Sequence, residues 1–309
     1  MVTAELTPWW AWAWPPLACV ILAIAMVAGA TGIIAAAAGA VLIATVFAAV
    51  YHAEVIALRV GEPFGTLVLA VAVTVIEVAL IVSVMIAAGG TKPGLARDTV
   101  FAAVMIVCNG IVGLCLLSGG VRHHEQGFQV HGASAALAVL ATLTVLTLVL
   151  PNVTTSTPGP VYNGPQLVFA GTVSLVLYGS FVFVQTVRHR DYFLPAGGGG
   201  EEAHATPPSN WTTLASVGLL LVSLVAVVGI AKALTPALEV GLAWLGAPKA
   251  VVGIVIAALV MMPESLAALR SARANRLQTS LNLALGSALA SIGLTIPAVA
   301  AVAVVLDQR

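Results

Sequence analysis

Two glutamates stand alone in long apolar stretches, and they are the residues whose chemistry the sequence points to. Glu77 lies at the centre of Gly65–Ala88, and Glu264 holds a matching place in Val251–Leu269. An acidic side chain at mid-membrane costs about 2.5–3.5 kcal/mol on insertion scales, so it persists mainly where it lines an ion path or a buried polar site. The two acids therefore predict a paired ion site.

We expect Glu77 and Glu264 to face each other, so that two negative charges share a small, water-poor site. A hard divalent cation neutralises both charges with oxygen ligands, and two protons do the same. The empty, doubly charged site is the costly state and should cross the membrane rarely. That asymmetry couples cation movement in one direction to proton movement in the other.

Neutral oxygens near the two acids would complete a cation shell. The predicted supporting ligands are Thr74, Asn109, Ser287 and Ser291. Serine and threonine in membrane helices more often bond to their own backbone carbonyls, and a buried asparagine can equally join two helices. Pro263, directly before Glu264, removes a backbone donor and predicts a broken helix with a freed carbonyl.

The elements that position these residues are predicted to be membrane-spanning helices. The chain is 60% hydrophobic and 8% charged, whereas soluble domains carry about 25% charged residues. A spanning helix needs roughly 20 apolar residues. Nine stretches are predicted spans: Trp14–Gly29, Ile33–Leu58, Gly65–Ala88, Thr99–Leu117, Ala133–Leu150, Gln166–Val187, Leu214–Ile230, Val251–Leu269 and Leu281–Leu306. Because alternating ten-residue segments typical of an outer-membrane barrel are missing, the predicted fold class is an all-α polytopic membrane protein.

Composition also limits the partners. The net charge is zero and there is no basic run for nucleic acid, so the expected partners are the lipid bilayer, transported cations and protons. The three cysteines lie inside apolar spans and predict neither a disulfide framework nor a metal site. We expect no cofactor. The tryptophans before Pro15 predict an interfacial anchor, and no signal peptide is expected.

The two acids sit in what we predict to be an inverted repeat. In each half a span ends near a carboxylate, Glu54 or Glu239, and a Gly/Pro break follows at 61–63 or 246–248. The next span then carries the buried glutamate. The first group has five spans, an odd number, so the second group must enter from the opposite face, as in many secondary transporters.

The predicted organisation is a transmembrane helix at 1–32, a first repeat at 33–190, a polar linker at 191–210 and a second repeat at 211–309. The first half runs for about 155 residues, so the second is expected to be incomplete, with two helices missing. Seven basic residues fall on the N-terminal side of the membrane and five on the other. This bias predicts a cytoplasmic N-terminus.

At these residues the chain resembles the cation/calcium exchanger superfamily, specifically its bacterial ChaA-type calcium/proton antiporters. The resemblance covers nearly the whole chain and is clearest in His52–Ser83, Arg122–Ala133 and Met262–Pro297. The first and third of these stretches match the family's two repeat motifs. The resemblance implies one extra N-terminal helix followed by two inverted groups of five helices in a bacterial inner membrane.

The resemblance also implies that Glu77 and Glu264 are the acids that bind the ion and exchange the proton. Asn109 stands where the family's Ser-Asn pair lies, with Cys108 in place of serine. Eukaryotic-type relatives carry Gly-Asn just before each acid, whereas this chain has Val73-Thr74 and Val260-Met261. Two amide oxygens are therefore missing from the usual shell, which leaves Na⁺ and K⁺ open beside Ca²⁺.

The function predicted is a secondary antiporter that exchanges Ca²⁺ for H⁺. A Na⁺(K⁺)/H⁺ antiporter of the same fold and a passive cation channel are the alternatives. We expect no enzyme, because the predicted spans hold no Ser/His pair, no HExxH motif and no paired aspartates.

Overall fold

A computed structural model describes residues 8–61, 71–72, 74–79, 81, 95–194, 208–247 and 250–305. The described residues form helices and connections, with no strand among them. Seven of the helices are long and apolar enough to cross a membrane. The chain is therefore an all-α polytopic membrane protein, as its composition predicts.

The helices are short pieces in some spans and continuous in others. In chain order they are α1 (Trp9–Ala28), α2 (Gly32–Val60), α3 (Leu95–Met105), α4 (Val112–His123), α5 (Val130–Thr144), α6 (Gly164–Phe183), α7 (Asn210–Trp244), α8 (Ala250–Val260), α9 (Met262–Arg273) and α10 (Leu277–Val305). A π-helical turn at Ile106–Ile111 joins α3 to α4 in one span. Residues 71–72, 74–79 and 81, around Glu77, are also helical.

One predicted span consists of two helices. Val251–Leu269 is divided into α8 and α9, which meet at Met261. Pro263 explains the break, because it has no N–H and its ring clashes with the carbonyl four residues earlier, while a proline fits the first turn of a new helix. The broken helix expected from this proline is therefore confirmed. The predicted span Gly65–Ala88 lies partly outside the described residues.

Two helices are longer than the spans that the sequence predicts. The first helix begins at Trp9 and contains its tryptophans and both prolines, 15 and 16, near its start. The span predicted at Leu214–Ile230 is the 35-residue helix α7, which begins at the cap residue Ser209 and continues through Pro236. The predicted breaks after α2 and α7 are confirmed: Gly61 has φ +77° and Gly246 has φ +68°, a backbone region that favours glycine.

The described helices fall into two compact units, and each unit takes part of both sequence halves. Unit 1 comprises Met1–Ser83 and Gly200–Pro263, and unit 2 comprises Val84–Gly199 and Glu264–Arg309. The two units are therefore interleaved along the chain, unlike the consecutive repeats that the sequence predicts at 33–190 and 211–309. The repeat boundaries stay a prediction.

Unit 1 is held by close packing of α1, α2 and α7. Small residues such as Ala38, Ala49 and Ala226 are completely or almost completely buried in its core. At Gly229 an added Cβ would lie 2.5 Å from a methyl of Leu22, so the glycine allows α1 and α7 to approach closely. Lipid tails are as apolar as leucine, so membrane helices associate through such van der Waals contacts rather than through the hydrophobic effect.

A buried histidine adds polar bonds to this three-helix contact. His52 of α2 is 1% exposed. Its Nε2 lies 2.9 Å from the carbonyl oxygen of Ala11 in α1, which can only accept, so Nε2 donates. Its Nδ1 lies 3.1 Å from the hydroxyl of Ser216 in α7 and accepts. One neutral imidazole thereby joins all three helices.

Unit 2 is arranged around α10. In the most apolar stretch of 18 residues within this span, 61% of the residues are buried. The corresponding share in the other six candidate spans is 22–39%. Its partner α6 approaches it at two glycines: a Cβ on Gly293 would lie 2.5 Å from the Cβ of Tyr178, and one on Gly171 would lie 3.4 Å from the Cα of Pro297. Since residue numbers rise along α6 as they fall along α10, the two helices are antiparallel.

The contact at Gly293 provides a stability test. An added methyl at this position meets the rigid start of the Tyr178 side chain, so we expect Gly293→Ala to lower the free energy of unfolding by about 1–3 kcal/mol. The matched control is Gly286→Ala in the same helix, where an added Cβ meets nothing within 4 Å. Thermal unfolding in detergent measures both variants. Equal melting temperatures for the two would contradict the close α6–α10 contact.

Candidate functional site

Glu77 lies on a helical segment that packs into the core of unit 1. Ala72, five residues before Glu77, and Ile76, directly before it, are buried against α2 and α7. Thr74, one turn before Glu77, is also buried, with 4% exposure. Glu77 itself is partly buried. The structure thus places the predicted pair Thr74 and Glu77 on the same helical segment.

Glu264 lies at the start of a new helix in unit 2. It is in the first turn of α9, directly after the break at Met261 and Pro263. The N-terminus of a helix carries unsatisfied N–H groups and the positive end of the macrodipole, and both stabilise a carboxylate. The break therefore puts the acid where a helix end can support negative charge within an apolar sequence.

A hydroxyl from α10 bonds directly to this carboxylate. Ser287 Oγ donates a hydrogen bond to Glu264 Oε2. Ser291, one turn further along α10, is 2% exposed, and Thr295, one more turn along, is fully buried. The spacing 287, 291, 295 puts three hydroxyls on one face of the helix. We call Ser287, Ser291 and Thr295 the hydroxyl row.

The facing helix α6 contributes polar residues that the sequence analysis missed. Tyr178 is 6% exposed and lies close enough to Glu264 for a Coulomb interaction. Ser174, one turn earlier, is fully buried, and its hydroxyl and that of Thr295 have no hydrogen-bond partner in the described part of the chain. The signal in the sequence is the spacing 171, 174, 178, which puts Gly171, Ser174 and Tyr178 on one face of α6.

Asn109 is placed differently from the other predicted ligands. It lies within the π-helical turn Ile106–Ile111, is exposed, and donates from Nδ2 to the Met105 carbonyl at 3.2 Å. Single π turns inside α-helices often occur at functional sites. Unit 2 therefore brings together Glu264 and Ser287, with Ser291 one turn further along α10, whereas the side chain of Asn109 bonds to Met105.

The histidine-rich segment after α4 has a structural part in unit 2. His123 Nε2 donates to the Arg273 carbonyl at 2.8 Å, and Gln126 donates to the Ala272 carbonyl at 2.7 Å. Arg273 Nε in turn donates to Ser118 Oγ at 2.7 Å. These bonds hold the connection after α4 against the end of α9. In the ranges that the structure covers, no three metal-ligating side chains gather.

The arrangement around Glu264 has the chemistry of a site for a hard cation or a proton. A carboxylate and hydroxyl oxygens are the ligands that such cations prefer, and among the described residues no thiolate or imidazole bonds to this carboxylate. The carboxylate can take up a proton in place of the cation. Glu77 and Thr74 supply the same two oxygen types within unit 1.

Comparisons with known proteins agree with this chemistry. A family model described as sodium/calcium exchanger protein matches residues 18–187 and 215–309. The protein y4hA of Sinorhizobium fredii is 49% identical over 308 residues, covering 97% of this chain and 83% of that protein. The sodium-potassium/proton antiporter ChaA of Escherichia coli is 34% identical over 265 residues, covering 85% of this chain and 71% of that protein.

Two solved structures share the fold at low identity. A Ca²⁺/H⁺ antiporter, YfkE, aligns with a TM-score of 0.66 at 18% identity, covering 96% of this chain and 81% of that one. The H⁺/Ca²⁺ exchanger CAX aligns with a TM-score of 0.65 at 14% identity, covering 94% and 72%. Since the family model matches most of the chain and two relatives exceed 30% identity over most of its length, this chain belongs to the sodium/calcium exchanger family of the cation/calcium exchanger superfamily.

Proposed function

We propose that the chain is a secondary antiporter that exchanges Ca²⁺ for H⁺, with Glu77 and Glu264 as the exchanging acids. The observation that carries the proposal is the placement of Glu264, at the start of a helix broken within an apolar sequence and hydrogen-bonded by Ser287. A buried polar arrangement of this kind is costly in a membrane and is typical of ion pathways.

Each acid has two low-cost states in this mechanism. With a cation bound, the negative charge is neutralised by the ion, and with a proton bound it is neutralised covalently. The state in which both acids are charged and empty is disfavoured by the low dielectric of the membrane. Reorientation of the loaded forms, and rarely of the empty form, makes cation transport in one direction depend on proton transport in the other.

We propose supporting oxygens for each acid separately. Ser287 and Ser291 are the proposed hydroxyl ligands on the Glu264 side, and Thr74 is the proposed ligand on the Glu77 side. We also propose Asn109 as a ligand, because it lies in a single π-helical turn and such turns often occur at functional sites. Ca²⁺ takes six to eight oxygen ligands, so these groups would be joined by backbone carbonyls or water.

Exchange of Na⁺ or K⁺ for H⁺ is the second candidate. It is favoured by the likeness to ChaA, whose name gives sodium and potassium as its cations, and by the absence of Gly-Asn before each acid. A monovalent ion needs fewer oxygen ligands and less negative charge. We further propose a bacterial inner membrane location with the N-terminus in the cytoplasm, because basic residues are more frequent on that side.

Replacement of either acid by glutamine tests the proposal. Glu77→Gln and Glu264→Gln keep the size and one oxygen but remove the titratable charge, so we expect pH-gradient-driven Ca²⁺ uptake to fall to the level of empty vesicles. The measurement is flux into proteoliposomes, repeated with Na⁺ and K⁺ in place of Ca²⁺. Uphill transport driven by the imposed gradient separates antiport from a passive channel, which would only dissipate a cation gradient.

Glu125→Gln, in the exposed connection after α4, is the matched control and should leave uptake unchanged. Correct folding is checked by gel filtration. Near-normal exchange by Glu77→Gln or Glu264→Gln would remove that acid from the mechanism. Uptake of Na⁺ or K⁺ in the absence of Ca²⁺ uptake would favour the second candidate.

The hydrogen bond from Ser287 gives a smaller, graded effect. Hydrogen bonds to charged groups contribute about 1.5–3 kcal/mol, so Ser287→Ala should weaken cation binding by roughly 10- to 100-fold. Its control is Ser134→Ala, an exposed serine of α5 in the same unit. Isothermal titration of the purified variants with Ca²⁺ measures the affinity. Unchanged affinity would show that Ser287 is not part of the cation shell.

Thr295→Val tests the far end of the hydroxyl row. Valine has the shape of threonine without its hydroxyl, and the Thr295 hydroxyl makes no hydrogen bond within the described part of the chain. We therefore expect an unchanged or slightly higher melting temperature, together with slower exchange if the row passes protons to Glu264. Normal exchange with normal stability would limit the row to packing.

A further inference from the structure

A wide apolar groove lies on unit 1, and its described lining includes Ala79, two residues after Glu77, but neither of the two acids. It has a volume of about 1230 Å³ and is lined mainly by α1 and α7, with Leu22, Met26 and Val225 among its apolar residues. Met26 and Val225 are 76% and 67% exposed. This volume exceeds the roughly 300–1,000 Å³ of common small-molecule pockets. The groove is an open, mainly aliphatic surface.

The short turn between α1 and α2 defines the depth of this groove in the membrane. Residues 29–32 connect two spanning helices, so the turn must lie near a membrane surface, and Thr31 lines the groove. Leu22 lies nine residues before Thr31, or about 13 Å deeper along a helix. The groove therefore extends from the headgroup level into the hydrocarbon core.

One charged side chain lies in this apolar lining. Lys232 of α7 is exposed, and it forms no hydrogen bond or ion pair within the described residues. Val225, seven residues earlier in α7, lies about 10 Å deeper. An ammonium group that faces lipid is costly in hydrocarbon, so its stem extends along apolar surface while its charge seeks the headgroups.

The end of the groove toward the C-terminus of α7 carries an exposed aromatic residue. Trp244, at the end of α7, lines the groove and is 88% exposed. Tryptophan is enriched at the headgroup level of membrane proteins. Trp244 lies twelve residues, or about 18 Å, beyond Lys232 along α7. An unpaired cation within an aliphatic groove that reaches the headgroup level matches a phospholipid whose headgroup is negatively charged.

We propose that this groove binds an anionic phospholipid, with the phosphate beside the Lys232 ammonium and an acyl chain along Leu22 and Val225. Bound lipid would fill the space between α1 and α7, the helices that His52 joins at their other end, and so would stabilise unit 1.

The test uses the full chain, delipidated in detergent and titrated with phosphatidylglycerol or with phosphatidylcholine of identical acyl chains. Native mass spectrometry counts the bound lipids and gives the affinities. A lysine near the membrane surface contributes about 1 kcal/mol toward anionic lipid, so we expect phosphatidylglycerol to bind about fivefold more tightly. Lys232→Gln should abolish this preference, and Lys232→Arg should retain it.

Arg188→Gln removes an exposed positive charge from unit 2 and is the matched control, which should keep the full preference. Val225→Trp, which fills the acyl part of the groove, should weaken binding of both lipids. The proposal is overturned if Lys232→Gln keeps the preference while Lys232→Arg folds normally. It is also overturned if inorganic phosphate alone binds in a Lys232-dependent manner, or if a second copy of the chain occupies the groove and excludes both lipids.

Discussion

The interior of a bilayer offers no water to polar groups, and this constraint governs the structure from its helices to its candidate site. Backbone polar groups must find partners within the protein, and most buried side-chain polar atoms of the described residues do so as well, with the Ser174 and Thr295 hydroxyls among the exceptions. Threonines 45, 147 and 186 therefore bond to the carbonyls four residues earlier. His52 satisfies both ring nitrogens between two helices. Glu264 meets the same demand with a helix start and a serine hydroxyl.

Close packing through small residues decides which polar groups meet. Gly293 and Gly171 let α10 and α6 approach at near-contact distance, and this approach is what brings Tyr178 and the hydroxyl row to the neighbourhood of Glu264. In unit 1, Gly229 does the same for α1 and α7. Because lipid provides no hydrophobic driving force between helices, such contacts have to supply much of the association energy. The residues that set function and those that set packing are therefore neighbours along the same helix faces.

The two proposals place different demands on charge. Exchange requires acids whose negative charge is never left without a cation or a proton, which is why the break before Glu264 and the hydroxyl at Ser287 matter. The groove requires the opposite sign at the membrane surface, where Lys232 meets headgroups rather than a protein partner. Both follow from the cost of an uncompensated charge in a low dielectric. Protein groups stabilise the charge of Glu264, and lipid headgroups are proposed to stabilise that of Lys232.

The sequence alone determined the class and most of the elements. Its apolar runs predicted spanning helices, Pro263 predicted the broken helix, and the glycines at 61 and 246 predicted helix ends, because each is a local property of the backbone or of hydropathy. The resemblance to cation/calcium exchangers is confirmed by the family match. The pairing of Glu77 with Glu264 and the inverted repeat remain predictions.

The partners of Glu264 were decided only by tertiary structure. Ser287 was predicted among four candidate ligands with nothing to rank them, and its hydrogen bond depends on how α10 packs beside the start of α9. Tyr178 and Ser174 were missed, because their spacing on α6 is also that of an ordinary packing face. Asn109 is exposed and lies in a π-helical turn that no residue pattern predicts. Which side chains meet depends on distances between helices, and these are set by many small contacts far apart in the chain.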